Sequence, residues 1–323
     1  MAGDTETGIV QKAYNIPAME PRIQYAKTSH EALLAYYTAP GVFTSVEGFQ
    51  EQIDTVSSDV EAVVRAVQGL LIGKGWAAAY GIAPRPERLA ETELHSAIAM
   101  LSRAERLDSR PVGEERAPDR RIVGVCRHFA TMFVAFMRHK GVPCRARCGF
   151  ANYFDSGKHV DHWVGEYWNA DQGRWVLVDA QIDDLQRGLL RPSFDTLDVP
   201  RDRFLVAGDA WHACKNGADA MSFGVGGTNM WGLIEVFGDI FQDLAALQNI
   251  ELLPWGWYGL AKDDGALDAE SELIDRLAAL SSAADATALR TLRDLVANDE
   301  RLRVPEKTLA AIVAADRASA ASG

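Results

Sequence analysis

The stretch that most restricts the fold is residues 126–180, where a helical hydrophobic pattern gives way abruptly to strand patterns. From Cys126 to His139 the apolar side chains recur at i, i+3, i+4, i+7 and i+8, which predicts an amphipathic helix that begins at or just before Cys126. Beyond Pro143 the apolar residues alternate with arginines, which predicts a strand over 144–150. A fold built around this stretch needs a helix followed at once by a sheet.

Two more strands are predicted, over 161–168 and 174–180, and the sequence NADQG between them has the composition of a hairpin loop. A loop of two or four residues, pairing Asn169 with Gln172 or Trp168 with Gly173, would set His162 directly opposite Asp179. An odd-numbered loop would turn the two side chains to opposite faces. We therefore expect an even-numbered loop and a distance of about 2.6–3.2 Å between these two side chains.

The rest of the chain reads as helical segments on either side of this core. Helices are predicted over 58–71 and 87–107, and after residue 259 the aromatic residues stop while Ala, Leu and Asp become frequent. We predict one domain over 1–260, with an N-terminal helical portion at about 55–110 and a motif-bearing core at about 120–185. Residues 261–323 are predicted to form a helical C-terminal appendage, which is also a candidate homo-oligomer contact.

Charge and hydropathy exclude several classes of partner. With 33 Lys and Arg against 45 Asp and Glu the formal net charge is −12, so the field of the molecule repels nucleic acid and anionic membrane surfaces. No apolar run approaches the length of about 20 residues that crosses a bilayer, and residues 1–12 lack the features of a signal peptide. We expect a cytoplasmic protein without a nucleic-acid or membrane partner.

Three residues in the core have the chemistry of a catalytic triad. Cys126 lies at a helix N-terminus, where the helix dipole and a nearby imidazolium favour the reactive thiolate. His162 on the second strand would act as general base and acid, and Asp179 at the end of the third would orient its ring. Each residue alone has an ordinary structural explanation, but their order and placement favour catalysis.

These segments resemble the transglutaminase-like superfamily. The motifs are GVCRHFA at 124–130, DHWVGEYW at 161–168 and RWVLVDAQ at 174–181, with GVPCRARCGF between the first two. The resemblance covers about 120–185 and implies a papain-like α+β fold, in which the helix bearing the catalytic Cys packs on an antiparallel sheet with flanking helices. It also implies acyl transfer through a Cys126 thioester, with His162 and Asp179 completing the site.

The resemblance does not choose between hydrolysis and transfer, nor among small-molecule, peptide and carrier-bound substrates that bear an amide or thioester. Nothing in the sequence matches the calcium loops of animal tissue transglutaminases, so we expect neither a metal nor another cofactor. Trp76 and Tyr80 are candidates for a side-chain oxyanion donor besides the Cys126 backbone N–H.

Two other interpretations remain. One is a catalytically inactive transglutaminase fold that binds a partner as a scaffold. The other is a zinc-binding module, because Cys144 and Cys148 are followed by His159 and His162, although this spacing imitates a zinc finger poorly. We expect the two cysteines to be core residues. His128 and His139, which lie off the apolar stripe of the Cys126 helix, are predicted at the surface.

Overall fold

The computed structural model describes residues 29–263 and 265–321, which form a mixed helical and β structure. The helices are α1 Ser29–Thr38, α2 Gln50–Asp54, α3 Val60–Leu70, α4 Pro86–Leu89, α5 Ala97–Leu107, α6 Cys126–His139, α7 Asp184–Leu190, α8 Ala207–Lys215, α9 Leu233–Leu247, α10 Ala266–Ala269, α11 Ser271–Ala283, α12 Ala286–Asn298 and α13 Glu306–Ala321. The strands are β1 Leu71–Gly73, β2 Ile122–Gly124, β3 Cys144–Ala151, β4 His159–Asn169, β5 Arg174–Val178, β6 Phe204–Val206 and β7 Phe223–Gly224.

The main sheet has the strand order β5-β4-β3-β6, and the four strands pair antiparallel, while the short β7 pairs parallel with β4. Strands β1 and β2 form a separate parallel pair just before α6. The three strands predicted from the sequence are present at nearly the predicted bounds. The α+β class is therefore confirmed.

The hairpin between β4 and β5 has the predicted even-numbered loop, but its register differs from the prediction. Asn169 pairs with Arg174, which leaves a loop of four residues at 170–173. The expected pairing of Trp168 with Gly173 is thus wrong by two residues. A shift of two keeps every side chain on its predicted face, because side chains alternate along a strand with a period of two.

Helix α6 has the predicted bounds and lies between the sheet and the N-terminal helices. One side packs on β3 and β4, and the opposite side contacts α3 and α5. His128 is therefore fully buried, and its predicted surface position is wrong, because the face away from the sheet is also covered. His139 at the end of the helix is partly exposed, and its Nε2 lies 2.8 Å from Asp54.

The helix predicted over 87–107 is interrupted in the structure. Pro86–Leu89 forms one helical turn, Ala90–Glu93 a 3₁₀ turn, and the regular helix begins only at Ala97. The side chain of Ser96 accepts a hydrogen bond from the Ala99 N–H, as an N-cap does. The apolar pattern runs through this cap, so the interruption was not apparent from periodicity. By contrast, the helix predicted over 58–71 is confirmed as α3.

Buried ion pairs link β3 to β4 and to the neighbouring helix α9. Glu166 accepts hydrogen bonds from Arg145 at 2.6 Å and Arg147 at 3.1 Å, and Arg147 also donates to Asp243 of α9 at 2.9 Å. All four side chains are buried. Burial alone would raise the pKa of Glu166, but the guanidinium groups of Arg145, Arg147 and Arg201 outweigh it and hold that pKa well below its usual range.

The C-terminal helices contribute to a second apolar core together with α8 and α9. They also complete the polar network of the sheet, since Arg147 donates to the Ser281 carbonyl at 2.8 Å and Arg145 to the Ala284 carbonyl at 2.6 Å. These contacts cross residue 260, and the domain boundary placed there stays a prediction.

No helix of the described part of the chain combines the length and hydrophobicity that a membrane span requires. Residues 1–12, on which the expectation about a signal peptide partly depended, lie outside the described residues. The cytoplasmic location stays a prediction.

Candidate active site

Cys126 is the first residue of α6, as predicted, and its side chain is partly exposed. The preceding Val125 has an extended backbone, and its N–H donates to Nδ1 of His128 at 3.1 Å. The His128 side chain thus reaches back from the first turn of the helix to the residue before it and holds the backbone where α6 begins. The first N–H groups of a helix have no partner within it, so those at the start of α6 can serve as donors beside Cys126.

His162 and Asp179 lie together, as the hairpin argument predicted. The His162 Nε2 is 2.8 Å from Asp179 Oδ2, inside the expected range, and both side chains are buried. In the observed register Gly165 pairs with Val178. Asp179, the residue after β5, therefore lies diagonally across from His162 on the same face of the sheet. A diagonal neighbour is still within side-chain reach, so the contact between His162 and Asp179 forms although the predicted register is wrong by two residues.

Asp179 is held by further donors that sequence reasoning missed. The Tyr153 hydroxyl donates to Asp179 Oδ2 at 2.8 Å, and the Gln181 N–H donates to Oδ1 at 3.0 Å. Tyr153 lies in the loop after β3, and no motif in the sequence marks it. These donors fix the carboxylate so that one oxygen faces the imidazole.

The surroundings of His162 favour its charged form. Burial lowers its pKa, but the charge and hydrogen bond of Asp179, followed by the interaction with the nearby Cys126, outweigh burial and raise the pKa to about 10. Phe154 lies with its ring centroid 4.7 Å from that of the imidazole. Cys126, His162 and Asp179 are thus in one connected arrangement.

The other three cysteines are free thiols in environments that oppose ionisation. Burial raises the pKa of Cys144 to about 12, and it also raises the pKa of Cys148 and of Cys214. Cys144 and Cys148 belong to the apolar core beneath α6, as expected.

The zinc-finger arrangement of Cys144, Cys148, His159 and His162 does not form. In the described part of the chain, the group of metal-ligating side chains that does come together is Cys148, Asp161 and Asp239, whose ligand atoms lie within 4.8 Å of one another. This group could hold a metal ion. No motif marks it, because Asp239 is distant along the chain from Cys148 and Asp161.

The two carboxyl groups of this cluster are hard to ionise. Burial, opposed in part by His162, raises the pKa of Asp161 to about 7. Burial and the neighbouring Asp161 raise the pKa of Asp239 well above its ordinary value. Of the two oxyanion candidates, Tyr80 is already engaged, since its hydroxyl donates to Asp183 at 2.6 Å.

The family comparison agrees with this geometry. Residues 109–180 match the family model of the transglutaminase-like superfamily. The matched segment contains all three residues of the connected arrangement and confirms the resemblance found in the motifs. No curated protein and no solved structure matches the chain.

Proposed function

We propose that this protein is a cysteine-dependent enzyme that transfers acyl groups through a thioester on Cys126. The observation that carries the proposal is the connected arrangement of Cys126, His162 and Asp179, with the thiol at a helix N-terminus and the imidazole held 2.8 Å from the carboxylate. A buried imidazole that is hydrogen-bonded to a carboxylate and has a thiol beside it is the arrangement that activates a sulfur nucleophile.

In the proposed reaction the Cys126 sulfur, whose proton is already on His162, attacks the carbonyl carbon of an amide or thioester as a thiolate. The tetrahedral intermediate expels an amine or a thiol, which receives that proton from His162 and leaves the acyl group on sulfur. Water or an amine then attacks the thioester carbonyl, and His162 takes the proton of the attacking group. The carbon–sulfur bond breaks, the acyl group leaves as a carboxylic acid or an amide, and the proton on His162 restores the resting pair with Cys126. Asp179 holds Nε2, so that Nδ1 of the ring is left for the sulfur.

The backbone N–H of Cys126 is the oxyanion donor that this mechanism uses, because N–H groups of the first helical turn have no acceptor within the helix. The hydroxyl of Tyr80 is bonded to Asp183, so Tyr80 is not assigned as a side-chain donor, and Trp76 stays a prediction.

Intact-mass trapping tests the proposal directly. Wild-type protein is incubated with short peptide amides and acyl thioesters, and we expect a gain equal to the acyl group less the thiol hydrogen. Cys126→Ala should gain nothing, and Cys214→Ser, the matched control on a different helix, should behave as wild type. Cys126→Ala should keep its melting temperature within a few degrees, since a small thiol contributes about 1 kcal/mol of packing.

Selective alkylation gives a second test that needs no knowledge of the substrate. At pH 6 iodoacetamide should modify Cys126 far faster than Cys144, Cys148 or Cys214, because the latter three thiols are protonated at that pH. His162→Ala should remove most of the difference. Equal modification of the four thiols, together with no acyl adduct from any donor, would contradict the enzyme and favour the inactive scaffold.

A further inference from the structure

A second cluster of reactive side chains lies beside the candidate active site and takes no part in the proposed reaction. Cys148 of β3, Asp161 of β4 and Asp239 of α9 each offer a ligand atom, and these atoms lie within 4.8 Å of one another. Cys148 and Asp161 share a face of the sheet, because Cys148 pairs with Trp163, two residues along β4 from Asp161. The cluster thus joins two strands and a helix at one point.

The carboxylates of this cluster lack the partners that buried acids normally have. Asp239 is 6% exposed, and its Oδ2 has no hydrogen-bond partner. The Oδ1 of Asp161 is also without one. A buried oxygen without a partner is costly, and each such atom in a folded protein calls for an explanation.

Asp243, one turn further along α9, is a carboxylate in similar surroundings that has hydrogen-bond donors for both oxygens. It accepts hydrogen bonds from Arg147 at 2.9 Å, from the Ser281 hydroxyl at 2.7 Å and from the Cys148 N–H at 3.0 Å. Asp239 has no such set, although the helix places it beside the same strand. A cation bound at this point would supply the missing partner of Asp239 Oδ2.

We propose that Cys148, Asp161 and Asp239 form a binding site for a divalent metal ion, with Zn²⁺ as the preferred ion. A thiolate with two carboxylates is a mixed sulfur and oxygen set that suits zinc, whereas Mg²⁺ and Ca²⁺ prefer oxygen alone. Three protein ligands leave a fourth tetrahedral position for water.

The spacing of the ligand atoms fits this ion after a small adjustment. Bonds of about 2.0–2.3 Å to a tetrahedral zinc put two ligand atoms roughly 3.5 Å apart. The observed limit of 4.8 Å therefore has to close by about an ångström, which rotation of the carboxylates can supply. Asp161 is half-buried, whereas Cys148 and Asp239 are buried.

An organic cation fits the cluster less well than a metal. The Cys148 thiol is completely buried, and a protonated thiol offers an ammonium group little. A metal ion instead displaces the thiol proton and neutralises both carboxylates, so it satisfies all three groups together. Since Asp161 directly precedes His162, the ion would also fix β4 next to the candidate general base.

Direct metal binding tests this proposal. Purified full-length protein is stripped with a chelator, dialysed against micromolar Zn²⁺ and analysed for metal content, and we expect one Zn²⁺ per chain. Replacing zinc with Co²⁺ should give the thiolate-to-cobalt charge-transfer absorption of a sulfur ligand. Asp239→Asn and Cys148→Ser should each weaken binding more than about 100-fold, beyond the roughly 10- to 100-fold effect of an outer-shell residue.

Two controls separate this site from the candidate active site. Cys126→Ala and Cys214→Ser should bind zinc as wild type does. Asp239→Asn should fold as stably as the metal-free wild type, because it removes a buried carboxyl without a partner, and added zinc should raise the melting temperature of wild type but not of this variant.

Loss of zinc in Cys126→Ala with retention in Asp239→Asn would place the ion on the catalytic thiol and overturn the proposal. Absence of binding in wild type at micromolar zinc would overturn it as well. Acyl trapping at Cys126 is measured on the chelator-stripped protein, so neither result changes its outcome and the two proposals stand or fall separately.

Discussion

Replacing Gly165 by Ala should disturb the contact that holds α6 against the sheet. A Cβ at position 165 would lie 2.3 Å from Cδ1 and 2.7 Å from Cε1 of Phe133, whereas favourable carbon contacts are about 3.5–4.0 Å. Phe133 is completely buried, so its ring cannot move aside without displacing other core side chains. The helix must therefore shift outward by about an ångström.

Overpacking of this kind typically destabilises a fold by about 1–3 kcal/mol. Ala also lowers the conformational entropy of the unfolded chain, which offsets about 0.4–1 kcal/mol of that cost. We expect Gly165→Ala to lower the free energy of unfolding by about 1–2 kcal/mol, measured by urea denaturation. Gly188→Ala is the matched control, because that position on α7 faces open space and the change should be neutral or stabilising by up to about 1 kcal/mol.

A double-mutant cycle identifies the contact itself. Phe133→Leu removes the ring atoms that the new methyl group would strike, so the cost of Gly165→Ala should be smaller in that background. If Gly165→Ala were as stable as wild type, or if its cost were the same with Leu at position 133, the close approach described here would be refuted.

Three further predictions concern the buried polar groups. Glu166→Gln leaves the buried Arg145 without its anion and Arg147 with Asp243 alone, and it should destabilise the fold by about 3–5 kcal/mol in urea denaturation. Asp198→Asn, which breaks the exposed pair with Arg174, should cost less than about 1 kcal/mol. Because the folded-state pKa of Glu166 is depressed, its contribution is present above about pH 4.3 and is lost as the pH falls toward the folded pKa, so the acid limb of a stability-against-pH curve should be flatter in Glu166→Gln. Tyr153→Phe removes a hydrogen bond to the Asp179 carboxylate, so it should cost about 1.5–3 kcal/mol of stability and slow acyl-adduct formation. An unchanged adduct rate would show that this hydroxyl does not position the carboxylate.

The central helix and strands were predictable because local signals there agree with one another. The apolar spacing from Cys126 to His139, followed by Gly141 and Pro143, marks both the helix and its end, and α6 has those bounds. Alternation then marks β3, and the hairpin parity places His162 and Asp179 on one face. Whether the loop length is even or odd decides which face each side chain takes, because side chains alternate along a strand with a period of two. An error of two residues in the register therefore leaves the predicted faces unchanged.

The failures involve information that is not local. His128 was expected at the surface because it lies off the apolar stripe, but helices distant in sequence cover that side of α6. The cap at Ser96 competes with a hydrophobic pattern that continues through it. Asp161 and Asp239 meet only because α9 packs on β3, and no pattern along the chain records that contact.

The carbonyl groups at the end of α11 affect how the molecule opens. Arg145 and Arg147 donate to Ala284 and Ser281, so detaching this helix would leave two guanidinium groups in the interior short of acceptors. Such an opening costs nearly as much as unfolding the sheet itself. The amides of α11 should consequently exchange with solvent at a rate close to those of β3, and the helix and the strand should behave as one cooperative unit on the timescale of hydrogen exchange.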